Sequence, residues 1–178
     1  MSNVTPRRKR WRLVFGLIFG GLVVSSLLLA GGAAGLAWTN TEAFCIGCHE
    51  MKDNVYAEYK GTIHDKNRTG VRAICSDCHV PREPIPMLKR KIAASFELYG
   101  HFVTGVIDTK DKFEKHRYEM ATRVWTRMKE TDSLECRNCH KSDQMSTELQ
   151  SPKAQARHAK AKAENLTCID CHFGIAHK

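Results

Sequence analysis

The feature that most constrains this chain is a five-residue pattern, CxxCH, that occurs four times and uses every cysteine. Two thiols at this spacing can each add to one vinyl group of a single porphyrin, and the histidine that follows can reach the iron from one face. The pattern therefore predicts four covalently attached c-type haems. The attachment cysteines are Cys45, Cys48, Cys75, Cys78, Cys136, Cys139, Cys168 and Cys171, and the motif histidines are His49, His79, His140 and His172.

Two other uses of cysteine compete with haem. Structural zinc is also bound by Cys and His at short spacing, but it joins two CxxC halves and needs no histidine directly after the second cysteine. Disulfides are common in exported domains, but a bridge within CxxC is a strained redox pair, and four of them in one chain would be unusual. The histidine after every motif favours haem.

A long uncharged segment near the N-terminus predicts a membrane anchor. As a helix, Leu13 to Leu36 would be about 36 Å long, enough to cross a hydrocarbon core of roughly 30 Å. Trp11 and Trp38 flank the segment, as interfacial aromatic residues do. We expect a transmembrane helix over residues 13–38. Two GxxxG spacings within it are compatible with a second helix, and hence with a homo-oligomer.

The charges around this segment predict its orientation. Five basic residues precede it, and Lys and Arg stay on the cytoplasmic side of a membrane. Residues 1–12 are thus expected in the cytoplasm, and residues 39–178 in the periplasm, outside the bacterial inner membrane. The alternative is a cleaved signal peptide with a small-residue site at Gly35-Leu36-Ala37, but its apolar region would be about twice the usual length.

The net charge of +9 does not require a nucleic-acid partner, because more than half of it precedes the anchor. The remaining excess of Lys and Arg suits haem propionates and lipid headgroups as counterions. Since stacked porphyrins would supply much of the interior, we expect a mainly α fold. It would combine the anchor helix with a compact, loop-rich multihaem domain that has few or no strands.

The exported part repeats itself loosely, because a lone histidine stands between two CxxCH motifs on two occasions. This predicts two dihaem modules, residues 40–81 and 133–178, linked by residues 82–132. The linker is expected to be helical, since apolar residues recur there with a period of 3.6. The three prolines at 81, 84 and 86 mark the start of its first helix, and a break is expected near Asp108, with Thr109 or Asp111 as the N-cap of the second.

A sixth ligand for each haem iron has to come from outside the motifs. The candidates are His64, His101, His116, His158 and His177. The repeat favours His64 and His158, and His177 lies close enough to the last motif to fold back onto a neighbouring haem. His101 also suits a hydrogen-bonded core position, and His116 suits a solvated helix. If only three of these histidines are ligands, one haem is left open.

Four stretches carry a resemblance to a known family. They are Asn40–Cys45, Asp77–Pro81, Asp132–His140, and Cys168–His172 followed by His177. The chain resembles the NapC/NirT family of membrane-anchored tetrahaem quinol dehydrogenases, most closely its NapC branch. The resemblance implies oxidation of membrane quinol and electron transfer to a periplasmic reductase, with the dihaem subunit of the nitrate reductase as the expected partner.

The resemblance also implies roles for individual residues. Met51, two residues after the first motif histidine, matches a methionine that ligates the first haem in related proteins, and so it competes with His49. His64, His158 and His177 match the histidines that complete the other three haems. Lys91 matches a lysine that contacts the quinol, and Glu97 matches an acidic residue at the same place, which we expect to be partly desolvated and to accept a proton.

Alternatives to this function remain within and outside electron transfer. Donors to nitrite reductases, as in the NirT and NrfH branches, and a hub that serves several reductases, as in the CymA branch, share the same motifs. A small-molecule reductase acting at an open haem is another class. The chain is short for that, because multihaem reductases generally have large catalytic domains.

Overall fold

In the computed structural model, residues 6–178 are described, and all of their regular structure is helical. The predicted mainly α class without strands is confirmed for this part of the chain. The molecule divides into two compact units, one that ends at Asn40 and one over Thr41–Lys178.

The first unit contains a single long helix, α1 (Pro6–Trp38). From Arg7 to Trp38 it is long enough and apolar enough to cross a membrane, and none of its most apolar window is buried within the protein. The helix begins before the predicted start at residue 13, because the basic residues that precede the apolar segment are good helix formers. Residues 1–5 of the segment predicted to be cytoplasmic lie outside the described residues.

In the second unit, short helical segments carry the CxxCH motifs. Helix α2 (Glu42–Cys45) enters the first motif, and a π-helical segment (Met51–Tyr56) continues into α3 (Ala57–Tyr59). The second motif forms α4 (Cys75–His79). The third motif begins in α7 (Leu134–Arg137), and the fourth contains a 3₁₀ turn (Cys168–Asp170).

Two long helices lie between the second and third motifs, as predicted. Helix α5 (Pro84–Phe102) begins with a proline at its first position, where no hydrogen-bonding N–H is needed. Helix α6 (Lys110–Glu130) has Thr109 as its N-cap, and the Thr109 hydroxyl accepts a hydrogen bond from the Lys112 amide. Of the two N-caps considered, Thr109 is the correct one. A further helix, α8 (Pro152–Ala163), lies between the third and fourth motifs.

The two long helices place their apolar residues differently. On α6, Phe113 and Met128 are buried, with 3% and 6% of their surface exposed. On α5, the periodic apolar residues are 47–72% exposed. They are Leu88, Ile92, Phe96, Tyr99 and Val103. Their spacing of three to four residues puts them on one face, which we call the apolar stripe of α5.

The motif segments pack against one another in chain order. Helix α2 contacts α4, and α4 contacts α7. Ser133, fully buried before the third motif, joins it to the fourth: its hydroxyl lies 2.5 Å from the Thr167 hydroxyl and accepts a hydrogen bond from the Ile169 amide. The four CxxCH motifs are therefore contiguous in space.

Candidate haem-binding site

All eight motif cysteines are free thiols, and thiols of successive motifs lie near one another. Cys45 of the first motif is hydrogen-bonded to Cys75 of the second, which lowers the pKa of Cys45 to about 7. Burial raises the pKa of Cys78 to about 11, and the electrostatic interaction with Cys136 of the third motif raises it in the same direction. This arrangement suits covalent attachment of groups that are close to each other.

Each motif histidine faces one histidine from elsewhere in the chain. The distances between ring centroids are 5.9 Å for His49 and His101, 6.2 Å for His140 and His64, 5.9 Å for His79 and His177, and 6.1 Å for His172 and His158. Two imidazoles that bind one metal from opposite sides, with bonds of about 2 Å, have ring centres about 6 Å apart. All four pairs therefore have the spacing of axial ligands on a common iron.

The environment of three of these histidines favours the neutral imidazole, which is the form that binds metal. Burial, together with the nearby His177, lowers the pKa of His79 to about 3. Burial also lowers the pKa of His177 and of His64.

Tyr59 fixes the loop that carries His64. The tyrosine hydroxyl contacts the Ala73 carbonyl and donates to the His64 carbonyl at 2.8 Å, and the Ala73 amide donates to the same carbonyl at 3.0 Å. Burial raises the pKa of Tyr59 to about 12, so its hydroxyl keeps the proton that it donates. The two ends of the loop are thus held together, with His64 directed towards His140.

Arg117 fixes the segment that carries His177. Its guanidinium pairs with the Glu58 carboxylate at 2.5 Å and donates to the Lys178 carbonyl at 2.7 Å. The Lys178 amide in turn donates to Glu58 at 2.8 Å. Arg117 and Glu58, from two other parts of the chain, therefore hold Lys178 beside His177, which places His177 against His79.

His158 lies on α8, and a hydrogen bond sets its ring orientation. Its Nδ1 lies 2.7 Å from Gln150 Oε1. A metal-bound histidine usually donates its other ring N–H in this way, which leaves Nε2 for the metal. The bond thus orients His158 towards His172.

The surroundings of the first motif differ from those of the other three. The ligand atoms of His49, Glu50 and His101 all lie within 4.8 Å of one another. The Glu50 side chain is only 2% exposed. Met51, the alternative ligand for the first haem, is half-buried and begins the π-helical segment.

Arg127 adds a second indication of bound anionic groups. Its Nε and Nη2, on α6, are buried, and no described residue accepts a hydrogen bond from them. A buried guanidinium normally pairs with a carboxylate or phosphate. Free thiol pairs, facing histidines and the guanidinium of Arg127 together fit haem c, whose iron would take the histidines and whose propionates suit the arginine.

Residues 7–178 match the protein family described as NapC/NirT cytochrome c family, N-terminal region. The chain belongs to this family. NapC/NirT cytochromes are membrane-anchored, quinol-oxidising electron-transfer proteins with covalently bound haem c, and they work with periplasmic reductases. The apolar helix α1 and the four CxxCH motifs agree with that membership.

Several curated relatives are similar to this NapC/NirT cytochrome over most of its length. The denitrification system component NirT of Stutzerimonas stutzeri is 53% identical over 162 residues, 91% of this chain and 80% of NirT. The cytochrome c-type protein NapC of Escherichia coli K12 is 50% identical over 175 residues, 96% of this chain and 87% of NapC. TorY of E. coli O157:H7 is 46% identical over 96% of this chain but only 46% of TorY.

The two residues predicted to act on quinol lie in different environments in this NapC/NirT cytochrome. Lys91 on α5 is half-buried and close enough to Cys45 for their charges to interact, and burial lowers its pKa. Glu97 exposes 61% of its side chain and pairs with Arg90 at 3.0 Å. The partial desolvation expected for Glu97 at a quinol site stays a prediction, and so does its role as a proton acceptor.

The histidine pairs connect the two predicted dihaem modules. His64 of the first module faces His140 of the second, and His177 of the second faces His79 of the first. Only the pair His158–His172 lies within one module. The modules are interleaved in space, although the repeat in the sequence separates them.

The sequence did not indicate the residues that support the ligands. Tyr59, Arg117 and Gln150 act through contacts with partners 5 to 61 residues away in the chain. No local motif marks such contacts. For Glu50 the sequence offered a weak indication of a role beside the first haem, because this residue directly follows the first motif histidine.

Proposed function

We propose that this protein is a tetrahaem cytochrome that oxidises quinol at the membrane and delivers electrons to a periplasmic reductase. The observation that carries the proposal is the set of four histidine pairs, one for each CxxCH motif. When bound, haem supplies reversible one-electron chemistry, which a two-electron donor such as quinol needs in two steps. The chain supplies attachment, ligands and the quinol site.

The chain would hold its haems through two thioethers and two axial ligands each. Three of them would be held by His64 with His140, His79 with His177, and His158 with His172. For the first haem, the candidates are His49 of the motif and Met51, two residues after it. Bis-histidine ligation lowers a haem potential relative to methionine ligation, which suits a protein that passes electrons onward.

Lys91 is the residue best placed to bind quinol. It lies beside Cys45, which would attach the first haem, and its half-buried amine strengthens any hydrogen bond that it donates. Donation to a quinol oxygen would stabilise the negative charge that develops as the proton leaves. The exposed Glu97 would then accept a proton on the periplasmic side.

The apolar stripe of α5 supports a position at the membrane surface. Its exposed side chains include Phe96 at 72% and Ile92 at 57%, and exposed Lys89 lies beside them on the helix. An apolar face next to basic residues is typical of helices that lie in the headgroup region. Lys91, on the neighbouring face, would then meet quinol as it leaves the lipid phase.

The periplasmic nitrate reductase, through its dihaem subunit, is the acceptor that the resemblance to the NapC branch favours. The 53% identity with NirT, a denitrification system component, supports a nitrite reductase as the second candidate. A hub that serves several reductases would donate electrons to both of these enzymes.

The quinol reaction is tested by reconstituting the haem-loaded protein in vesicles and following haem reduction by a soluble quinol analogue. We expect Lys91→Leu to slow reduction about tenfold or more, because one transition-state donor is lost, with an unchanged visible spectrum. Lys89→Leu is the matched control, and it should reduce at the native rate. Equal rates in both variants would remove Lys91 from the quinol site.

The acceptor is tested by adding an oxidised partner to the quinol-reduced protein. Rapid reoxidation by the nitrate reductase dihaem subunit, and not by a nitrite reductase, is the expected result. Reoxidation only by the nitrite reductase would move the protein to the second candidate.

A further inference from the structure

We propose that His101, on α5, is the second axial ligand of the first haem, opposite His49. This assignment rests on the proposed function, because it takes the first motif to hold haem. It names a ligand that no CxxCH motif or module repeat points to, and it leaves the first haem without an open position on its iron.

The geometry of the pair is the first argument. The His49 and His101 ring centroids are 5.9 Å apart, the same as for His79 and His177 and within 0.3 Å of the other two pairs. Three motif histidines each face a second histidine at the spacing of two axial ligands, and His49 faces His101 at the same spacing. We therefore infer that all four pairs hold the same kind of metal centre.

Glu50 supplies the second argument. Its carboxylate is 2% exposed. Its Oε1 contacts His101 Nδ1 and lies 3.5 Å from His49 Nε2, and neither carboxylate oxygen has an aligned hydrogen-bond partner among the described residues. A buried carboxylate beside a histidine commonly takes the ring N–H that does not bind the metal. Glu50 would thus be a positioning residue in contact with both rings, and His101 Nε2 would be left for the iron.

The position of His101 on α5 is the third argument. The ring lies in the last turn and is only 20% exposed, and its centroid is 4.4 Å from the centroid of the nearly perpendicular Phe102 ring. It belongs to the half-buried face of α5 that also carries Lys91, not to the apolar stripe. A rigid helix therefore sets both a ligand and the quinol-binding amine, and quinol would meet the edge of the first haem instead of its iron.

His116 shows what a histidine without this role looks like. It lies on α6, and its Nδ1 is 2.9 Å from the Lys112 carbonyl, a contact within its own helix. No motif histidine faces it among the described ring contacts. It is therefore the matched control for His101.

The test compares three variants of the full-length, haem-loaded protein by electron paramagnetic resonance and by redox titration. We expect four low-spin haems in the native protein. His101→Leu should convert one of the four to the high-spin state, while Met51→Leu and His116→Leu keep all four low-spin. The proposal is overturned if His101→Leu leaves every haem low-spin, or if Met51→Leu is the variant that yields the high-spin haem.

A conservative variant covers the case in which His101→Leu fails to accumulate. His101→Met keeps a ligand, and methionine raises haem potentials relative to histidine. One of the four potentials should therefore rise while the other three stay unchanged. Four unchanged potentials would also overturn the assignment.

These outcomes are separate from failure of the proposed function. A native protein that holds four haems but is not reduced by quinol would refute the quinol reaction, whatever the spin state of the His101 variants. A protein that reacts with quinol but keeps a low-spin first haem without His101 would refute only the ligand.

Discussion

Arg72 joins two parts of the second unit, Thr41–Lys178, which we call the haem unit. The two parts are thirty residues apart in the chain. It forms a two-pronged ion pair with Glu42, at 2.5 and 3.1 Å, and it donates to Asp65 at 2.7 Å. Glu42 begins the helix that enters the first motif, and Asp65 follows the ligand candidate His64. One side chain therefore ties the approach to one haem to the ligand loop of another.

This cluster predicts a pH-dependent stability. The hydrogen bond from Arg72 lowers the pKa of Glu42 below 4.5, so the carboxylate stabilises the fold above that pH. The contribution is lost as the pH falls through the lowered pKa. We expect Arg72→Met to reduce the free energy of unfolding by about 1 kcal/mol at pH 7, an amount that allows for solvent screening.

Urea unfolding of the haem-loaded protein, followed by circular dichroism at pH 7 and at pH 3, measures this difference. The native protein and Arg72→Met should differ at pH 7 and converge in acid. Exposed Arg68, in the same loop, is the control, and Arg68→Met should match the native protein at both pH values. A difference for Arg72→Met that persists unchanged at pH 3 would contradict the linkage.

At the residue scale, the CxxCH motifs predicted the attachment sites from the sequence alone. Which histidine faces each motif histidine could be seen only in the three-dimensional structure. The CxxCH pattern identifies a cysteine pair and one histidine because the three are close in sequence. The partner of His140, by contrast, is 76 residues earlier in the chain, and nothing local to His64 indicates it. His101 was a candidate that only its contact with His49 distinguishes from His116.

At the scale of single elements, α5 combines two faces with different roles. The half-buried face carries Lys91 and His101, and the opposite face carries the apolar stripe. A period of 3.6 predicted the helix correctly, because that signal is strong in long segments. Periodicity does not say what covers an apolar face, so it did not predict that this one is exposed.

The proposed position of α5 at the lipid surface gives an element-scale prediction. Phe96 is replaced by the photoreactive analogue benzoylphenylalanine in the full-length protein, which is then illuminated in vesicles. We expect a lipid adduct, detected by mass spectrometry, because the apolar stripe would lie in the headgroup region. Tyr118 on α6, which is 77% exposed, is the matched control position and should give little adduct.

Two results would contradict this placement. Equal lipid labelling at positions 96 and 118 would show that exposure alone explains the adduct. Labelling of a second protein chain instead of lipid would assign the stripe to an interface between copies.

At the scale of the whole molecule, few side chains form an apolar core. Phe113 and Met128 are the only large hydrophobic residues that are buried in the part of the chain that the structure describes, and the exposed apolar surface is concentrated on α1 and α5. Short motif helices of three to five residues are not stable on their own. We therefore expect the haem unit to fold only together with its haems, as metal sites fold with their metal.

The overall class was predictable from the sequence, and the way in which its parts interlock was not. Four motifs and an uncharged segment were enough to predict a helical haem domain with a membrane anchor. The repeat predicted two separate modules, yet His64 and His177 each face a histidine of the other module. The pairing of histidines between the two modules depends on how α5 and α6 fold back. A repeat in the sequence does not indicate this.

If four haems are covalently attached to this one chain, the intact purified protein is heavier than its polypeptide. The polypeptide has a mass of 20.1 kDa. We expect mass spectrometry of the intact protein to show an increase of about 2.5 kDa, corresponding to four added macrocycles. A mass equal to that of the bare polypeptide, or one that accounts for fewer than four haems, would contradict the attachment of four haems.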